Sequence, residues 1–429
     1  MNRIELTITA RSPLAIGRKK PGGSVSEVEK YIPGTVIRGA IAGKILSLKG
    51  SEPIEDGDDF SQLFTADKPA IFQNAYSAVA QVSPDESRVA ESPVWVIPVT
   101  AVSAKAGAGF RSCNNSGVFD TLIDRFLAEK LGYPYEPTDP DADDGNNQVE
   151  PFSGFYSCDG EQYYEHKVTT RLLTRVGINR RRAVAEDQVL YSPEVINESF
   201  LTNRRAQPRQ WQPMVFRGAI LVPNAALAGR LAQFINSQSF RLGSSGSRGL
   251  GKVTIEAKEA SAEQNLEARL TAFNNAITNR WQHRWSILSD LDDRSQITDS
   301  KGKKLTFFSV SLQSEAILTE QWRRTTIISP AMLKLLPHAP EDKSLELCAV
   351  YSSYGYRSGW NLAWGLMKDQ ALITNKGSIY LFSTTAPQQA WLETLSHIET
   401  NGIGERTEEG FGQVRVCHKF HQVMRENPA

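Results

Sequence analysis

One glycine-rich stretch occurs twice in this chain, and its repetition constrains the fold more than any other feature. Residues 242–253 read LGSSGSRGLGKV, and residues 403–414 read IGERTEEGFGQV. The matching positions are Gly243 with Gly404, Gly249 with Gly410, Gly251 with Gly412, and Val253 with Val414. Each stretch runs into a segment typical of a β-strand. Two loops of one spacing, each placed before a strand, predict two copies of a single supersecondary unit.

The chemistry of such a loop has two interpretations. Successive backbone N–H groups can form a concave site for an anion such as phosphate. The same glycines also suit a tight turn that packs closely against a neighbouring surface. Arg248 and Arg406 add a positive charge to each loop, so both interpretations stay open. In the phosphate interpretation, Gly246, Gly249 and Arg248 contact the ligand.

The repeat divides the chain into two β-rich units. The first unit is predicted at residues 1–258 and the second at 305–429, with a helical linker at 259–304. Residues 133–165 are acidic, and the part that reads EPTDPDADDGNNQVE contains no cation. We interpret them as a mobile surface insertion of the first unit. The predicted fold class is therefore α+β, with a chain of 429 residues long enough for two cores.

Composition limits the class of function. The formal net charge is zero, which argues against a protein that coats nucleic acid over its whole surface but permits a local basic groove. The four cysteines show no C-x-x-C spacing, as expected in a reducing cytoplasm. The N-terminal residues lack the apolar region of a signal peptide, and no run is long enough to span a bilayer. We therefore expect a cytoplasmic protein that does not enter a membrane.

The cations cluster in a few segments. A loop after the first strand carries Arg18, Lys19 and Lys20, and Arg38 falls in the first turn of a helix that Thr35 would cap. A cation in that turn opposes the helix dipole, so it indicates either a bound anion or an ordinary solvated side chain. Residues 166–212 are the most basic part of the chain and form a thumb-like segment. Its candidate residues are Arg171, Arg175, Arg180, Arg181 and Arg182.

The last three of these arginines are predicted to lie at the tip of a hairpin. Such a run is either a solvated surface or an arginine-tipped finger that contacts a phosphate backbone. In the second unit, Arg357 stands near Trp360 and Trp364. This group is either a stacking surface with a cation beside it or part of the core.

Motifs for catalysis and cofactors are missing from the sequence. No G-x-S-x-G, H-E-x-x-H or P-loop occurs. Each glycine loop precedes a strand, whereas a dinucleotide-binding loop follows one and opens a helix. Cys417, His418 and His421 lie close in sequence, but they do not complete a zinc site. We predict neither a metal nor a cofactor.

Three segments resemble the RAMP superfamily of CRISPR effector subunits. The first is YIPGTVIRGAIAGKIL (31–46), similar to the turn and helix after the first strand of backbone-type subunits. The second is RVGINRRRAVAEDQVLYSPEVINESF (175–200), similar to the segment that leads into their basic thumb. The third is the pair of glycine loops. With SGWN and GSIYLF in the second half, the chain most resembles the large two-RAMP subunit of type III-D complexes.

This resemblance implies two RRM-like, ferredoxin-like domains and a role in holding the crRNA 5′ handle. It also implies contact with backbone RAMP subunits and with the large polymerase-like subunit, with target RNA nearby. RNA-cutting members carry an aspartate between the first strand and the YIPG helix. Here residues 17–34 contain Glu27 and Glu29 but no Asp, and the first 165 residues contain no His. We therefore expect a non-catalytic RNA-binding subunit in antiviral defence, with a RAMP endoribonuclease as the alternative.

Overall fold

The structure is a computed structural model. It describes residues 1–18, 27–50, 53–111, 117–139, 148–179, 181–182, 184–261, 265–288, 296–361 and 365–429. Lys19, Lys20, Arg180 and Trp364 therefore lie outside the described residues, and so do residues 140–147 of the acidic segment. The described helices are α1 (Gly34–Lys49), α2 (Asp59–Phe64), α3 (Leu122–Lys130), α4 (Ala225–Ser237), α5 (Leu266–Arg280), α6 (Pro330–Lys334) and α7 (Gln388–Asn401).

Four strands form the frame of the first sheet. They are β1 (Asn2–Ala10), β2 (Ile71–Phe72), β3 (Val215–Val222) and β4 (Lys252–Ala260). Their spatial order is β4-β1-β3-β2, and every neighbouring pair is antiparallel. Two short strands, Tyr76–Ser77 and Phe240–Arg241, extend the sheet beside β3 and β4.

Alternation along β1 decides which face of this sheet is covered. Ile4, Leu6 and Ile8 are buried, as the sequence predicts. They share one core with Ile37 and Ile41 of α1 and with the apolar face of α4. Asn224 caps α4, because its Oδ1 accepts from the Ala226 amide at 2.8 Å. The predicted cap of α1 is wrong: this helix starts at Gly34, one residue before Thr35.

A second sheet repeats this arrangement. Its strands are β5 (Thr306–Leu312), β6 (Glu346–Tyr351), β7 (Ile379–Thr384) and β8 (Val414–Val416). Their order is β8-β5-β7-β6, again antiparallel throughout. In both sheets one helix follows the first strand and another joins the third strand to the fourth. This order of strands and helices is that of a ferredoxin-like fold, so the predicted α+β class agrees with the structure.

The second core contains helices from outside the second sheet's own sequence range. Leu122 and Phe126 of α3 pack there, although α3 comes from the long connection between β2 and β3. Phe273 and Ile277 of α5 pack in the same core. Arg280 of α5 forms an ion pair of 2.6 Å with Asp124 of α3. The helix of the predicted linker is thus a packed part of the second core rather than a free connection.

The acidic segment differs from the prediction where it is described. Its residues include the strands Val149–Pro151, Phe155–Asp159 and Gln162–His166. Phe155 and Tyr156 are buried and contact other aromatic rings in tilted arrangements. A segment with buried aromatic residues is not a surface insertion as a whole, because burial of aromatic area is a main source of packing energy.

The remaining strands are short and form hairpins or small sheets. They are Gly17–Arg18, Glu27–Val28, Val79–Gln81, Ser87–Val89, Trp95–Val96, Ala101–Ala104, Val118–Asp120, Thr170–Leu172, Arg175–Asn179, Val184–Tyr191, Glu194–Ile196, Ser199–Leu201, Trp211–Pro213, Leu318–Glu320, Arg323–Thr325, Tyr354–Arg357, Trp360–Asn361, Leu366–Met367 and Ala371–Thr374.

Candidate nucleic-acid interface

The two glycine loops have the same backbone hydrogen bonds. In each loop, two backbone amides donate to carbonyl oxygens in the segment that follows the first strand of the same sheet. One amide lies near the start of the loop, and the other lies shortly before β4 or β8. The bonds are Ser244 to Ala15 (2.8 Å) and Glu405 to Ile317 (2.9 Å), then Gly251 to Pro13 (2.9 Å) and Gly412 to Glu315 (2.8 Å). The repeat predicted from glycine spacing is therefore also a repeat of backbone geometry.

Close approach explains the first glycine of each loop. A Cβ on Gly243 would lie 2.5 Å from the Ala15 carbonyl oxygen, and a Cβ on Gly404 would lie 2.4 Å from that of Ile317. Both glycines also have a positive φ, 88° and 91°. These glycines support the packing interpretation of the loops, because the space beside them is filled by the chain's own backbone.

The arginines of the two loops are not equivalent. Ser245 and Arg406 hold the same place, at the start of a short 3-10 turn and with φ of 60° and 58°. Arg248 therefore corresponds to Glu409, one residue before the second shared glycine. The two loops share a backbone but not a charge pattern.

The first glycine loop lies beside the base of the thumb-like segment. That segment is a hairpin of Arg175–Asn179 and Val184–Tyr191, here called the thumb hairpin. Arg175 Nη2 donates to the carbonyl of Arg248 at 3.4 Å. Arg181 and Arg182 are exposed in the connection between the two strands, so the predicted hairpin tip is confirmed for these two residues.

A second hairpin joins the same region. Gly17–Arg18 pairs with Glu27–Val28, and the Val28 amide donates to Glu194 Oε2 at 3.0 Å. Glu194 begins the strand after the thumb hairpin, and Leu14 pairs with Ile196 of that strand. A small core of Ala15, Val195 and Leu250 lies beneath.

We call the surface made by the 17–28 hairpin, the thumb hairpin and the first glycine loop the cationic face. The segments that form it carry the candidate residues Arg18, Arg175, Arg181, Arg182, Arg248, Gly246 and Gly249, and Arg175 contacts Arg248 at the base of the thumb hairpin. Arg171 lies at its base, where it forms an exposed ion pair of 2.9 Å with Glu198.

The second glycine loop is covered by the first half of the chain. A Cβ on Gly410 would lie 2.8 Å from the Phe72 carbonyl oxygen and 2.9 Å from Asn74 Oδ1. A Cβ on Gly34 would lie 1.8 Å from the same Phe72 oxygen. Asn74 Oδ1 also accepts from the Gly34 amide at 2.8 Å, which satisfies the first turn of α1 in place of a local cap. We call this contact between residues 403–414 and residues 29–35 and 72–76, together with the adjoining Glu315 and Arg357, the seam.

Arg357 lies in the seam, among carboxylates. Its Nη1 forms an ion pair with Glu315 and donates to the Tyr31 hydroxyl at 3.1 Å, while Glu29 lies 3.8 Å from its Nη2. Burial opposes the charge of Arg357, yet Tyr31, Glu315 and Glu29 together raise its pKa above the ordinary value. Burial, and then the charge of Glu315, raise the pKa of Tyr31.

The other two candidate cations also contact the chain itself. Arg406 forms an ion pair with Glu409 and lies 5.1 Å from the centre of the Phe411 ring. Burial disfavours the Glu409 charge, but Arg406 holds its pKa below the usual range. Arg38 Nη2 donates to the Phe64 carbonyl at 2.8 Å, so local contacts account for a cation near the start of α1.

Sequence reasoning missed the seam and its acidic residues. Glu315 and Asn74 carried no recognisable motif, because their partners are distant in sequence. A signal did exist for Glu29, which is buried and stands two residues before the YIPG turn. Within the described residues, no group of three His, Cys, Asp or Glu side chains could hold a metal ion. No helix there is long and apolar enough to cross a bilayer.

Comparison with known proteins returns structures only. No family model matches the chain, and no curated protein matches it. A cryo-EM structure of the Type III-B Cmr-beta bound to cognate target RNA is similar, with 12% identity, 96% of each chain covered and a TM-score of 0.41. Crystal structures of oligomeric Cmr4 from Pyrococcus furiosus (13% identity, 61% of this chain and all of that one, TM-score 0.25) and of Cmr4 (14%, 60% and all, 0.24) are also similar. TM-scores below 0.5 do not establish a shared fold, so the fold assignment rests on strand order.

Proposed function

We propose that this chain is a non-catalytic RNA-binding subunit of a type III CRISPR effector complex. More narrowly, it is the large two-RAMP subunit of a type III-D complex, which holds the crRNA 5′ handle. Its partners are crRNA, backbone RAMP subunits and the large polymerase-like subunit. The observation that carries the proposal is the cationic face, where segments far apart in sequence lie side by side.

The chemistry of that face suits a ribose-phosphate chain. Arginine donates paired hydrogen bonds to phosphate oxygens and keeps its charge at any physiological pH. Arg181 and Arg182 stand exposed at a hairpin tip, and Arg248 is exposed beside the hairpin base. A net neutral protein with one cationic face binds polyanions there rather than over its whole surface.

Binding without cleavage is supported by the state of the acidic residues near the first hairpin. Glu29 is buried and faces Arg357 at 3.8 Å across the seam. Glu27 lies in a short strand, paired with Arg18 in the ladder. A carboxylate held in a buried ion pair is a structural partner, and a general base would need to reach the RNA.

Salt dependence of RNA binding tests the proposal. We expect the Arg181→Ala/Arg182→Ala double variant to bind single-stranded RNA more weakly and to reduce the slope of log affinity against log salt by about 1.4, which is about 0.7 per lost phosphate contact. The matched control is Arg125→Ala/Arg230→Ala, which removes the same charge from exposed ion pairs on α3 and α4. Equal slopes for wild type and the thumb variant would contradict the proposed face.

Cleavage is tested separately. Purified protein is incubated with repeat RNA, with and without Mg²⁺, and the products are separated by denaturing gel. We expect intact RNA under both conditions. A discrete product that disappears in a variant of the cationic face would replace this proposal with the endoribonuclease alternative.

A further inference from the structure

A hairpin of the second half carries the most exposed tryptophan of the described chain. Leu318–Glu320 pairs with Arg323–Thr325, and Gln321 and Trp322 form the two-residue turn between them. The Trp322 side chain is 99% exposed. Tryptophan is highly buried on average in folded proteins, so full exposure at a hairpin tip indicates a surface that meets a ligand.

The backbone of this turn gives the same indication. Gln321 and Trp322 both have a positive φ, 48° and 65°. Turns of this kind favour Asn or Gly at these positions, because a bulky side chain there is strained. Neither burial nor turn geometry therefore explains a tryptophan at position 322.

The hairpin is held firmly at its base. Thr319 Oγ1 donates to Glu405 Oε1 at 2.6 Å, and Arg324 Nη1 lies 2.6 Å from the same oxygen. Ser329 Oγ donates to Glu320 Oε1 at 2.5 Å, on the same strand as Thr319. A ring on a rigid base loses little freedom when it stacks on a ligand.

Its place in the fold matches the 17–28 hairpin of the cationic face. Both follow the first strand of a ferredoxin-like sheet and precede its first helix. Just before each hairpin, a single residue pairs with a later strand of the same half. Leu14 pairs with Ile196 of the strand Glu194–Ile196, and Ala316 pairs with Thr374 of the strand Ala371–Thr374. The partner strands also correspond, since Thr170 pairs with Ile196 and Tyr354 pairs with Thr374.

The side chains at these matching places differ in kind. The first half presents arginines, whereas the second presents Trp322 together with Tyr354 (64% exposed) and Tyr356 (56% exposed). The two tyrosine rings lie on one strand, with centroids 6.4 Å apart. Arg323 is exposed next to Trp322 and forms no ion pair within the described part of the chain. Aromatic faces next to a cation are the composition of surfaces that stack unpaired bases.

We propose that Trp322 stacks on an unpaired base of single-stranded RNA, with Arg323 placed to contact a neighbouring phosphate. Tyr354 and Tyr356 lie on the hairpin whose strand Ala371–Thr374 pairs with Ala316, just before the Trp322 hairpin. The proposal rests on the RNA-binding function above and adds a second site of different chemistry. Both faces of a fully exposed indole are open, so the ring can insert between two bases. Contact with a flat protein surface would need only one of these faces.

Abasic RNA separates stacking from phosphate contact. Affinities of the purified chain for a short oligoadenylate and for the same strand with abasic sugars are measured at elevated salt, where phosphate contacts are weakened. We expect wild type to prefer the normal strand, and Trp322→Ala to lose affinity for it by about 5- to 150-fold per stacked base while affinity for the abasic strand is unchanged. The Tyr354→Ala/Tyr356→Ala variant should show a smaller loss of the same kind.

The matched control is Tyr133→Ala, which removes an exposed aromatic ring just after α3, outside both proposed RNA surfaces. It should keep the preference of wild type, and Trp322→Phe should restore most of it. If Trp322→Ala binds both strands as wild type does, the stacking proposal is overturned while RNA binding stands. If Trp322→Ala instead loses association with a partner protein and keeps its base preference, the hairpin is a protein contact and the proposal fails. If wild type binds neither strand at low salt, the proposed function itself fails.

Discussion

The two glycine loops have one backbone and two environments. The first lies beside the thumb hairpin, where Arg248 is exposed and its carbonyl accepts from Arg175. The second is packed against Gly34 and Phe72, where Glu409 occupies the position of Arg248. The glycine spacing therefore encodes how each loop packs on its own sheet. Whether the loop meets a ligand or the other half of the chain depends on the residues between the glycines.

A seam arginine should matter most for stability. Replacing Arg357 by Met removes the nearest partner of the buried Glu315 and, among the described residues, leaves it only the Lys376 cation at 4.0 Å, which we expect to cost about 3–5 kcal/mol of unfolding free energy. Arg171→Met is the matched change at the base of the cationic face, where the ion pair with Glu198 is exposed; it should cost about 0–1 kcal/mol. Thermal and urea unfolding followed by circular dichroism measure both. Equal losses would mean that the seam is no more buried than the cationic face.

Two glycines allow a similar comparison of the loops themselves. Gly410→Ala combines a positive φ of 95° with contacts of 2.8 and 2.9 Å, and should destabilise by about 2–5 kcal/mol. Gly249→Ala has a φ of 86° but no heavy atom within 4 Å, and should cost about 1–2 kcal/mol. The difference between the two unfolding midpoints measures the tight packing of the second loop. A larger destabilisation by Gly249→Ala than by Gly410→Ala would mean that the first loop, not the second, is the tightly packed one.

Acid should loosen the contact between the halves before it affects the cationic face. Burial, followed by His421, Arg415 and Arg269, lowers the pKa of His418, whose ring contacts Trp95 and Tyr156 of the first half. The unfolded chain therefore binds the proton more readily. The contribution of His418 to the free energy of unfolding is fully present above about pH 6.5. Below that pH it falls by about 1.4 kcal/mol per pH unit, until the pKa of His418 in the folded chain is reached.

Unfolding midpoints of wild type and His418→Asn between pH 7 and pH 5, roughly the range in which an unperturbed histidine gains its proton, measure this loss. The variant should lose part of the acid sensitivity, whereas His283→Asn, at an exposed position, should keep it. Burial also lowers the pKa of His166 to about 4, so some acid sensitivity should persist in the His418 variant. An unchanged pH profile for His418→Asn would show that this ring does not respond to acid.

The smallest expected effect concerns the loop arginines. Arg248→Ala should reduce the salt slope of RNA binding by about 0.7, the value for one phosphate contact on a single strand. Arg406→Ala should leave the slope unchanged, because its guanidinium pairs with Glu409 in the seam. A reduced slope for Arg406→Ala would place RNA at the second loop and remove the distinction between them.

The repeat was visible in the sequence because it depends on local backbone needs. Gly243 and Gly404 must be glycine to approach a neighbouring carbonyl, so their spacing is preserved in both copies. Alternation in β1 and the cap at Asn224 are equally local features. The hairpin tip at Arg181 and Arg182 followed from the turn residues before it.

The surroundings of the loops could not be predicted in the same way. Arg248 and Arg406 give each loop a positive charge, but the backbone conformation of Arg406 matches that of Ser245 rather than that of Arg248. Arg357 was placed beside tryptophans close in sequence, but its partners Glu315 and Tyr31 are 42 and 326 residues away. Trp322 carries no motif at all, and only its exposure at a strained turn distinguishes it from a core tryptophan. Long-range contacts of this kind leave no periodic pattern in a single sequence.

Helix α3 leaves the ribosome long before the sheet that it packs against. Leu122 and Phe126 lack their core partners until first α5, and then β5 and β8, have been synthesised. The covering of Gly34 by residues near Gly410 is likewise completed only by the end of the chain. We therefore expect the nascent protein to expose apolar surface and to be prone to aggregation through most of translation. Its yield in cells should depend on chaperones more than that of a protein whose domains fold one after another.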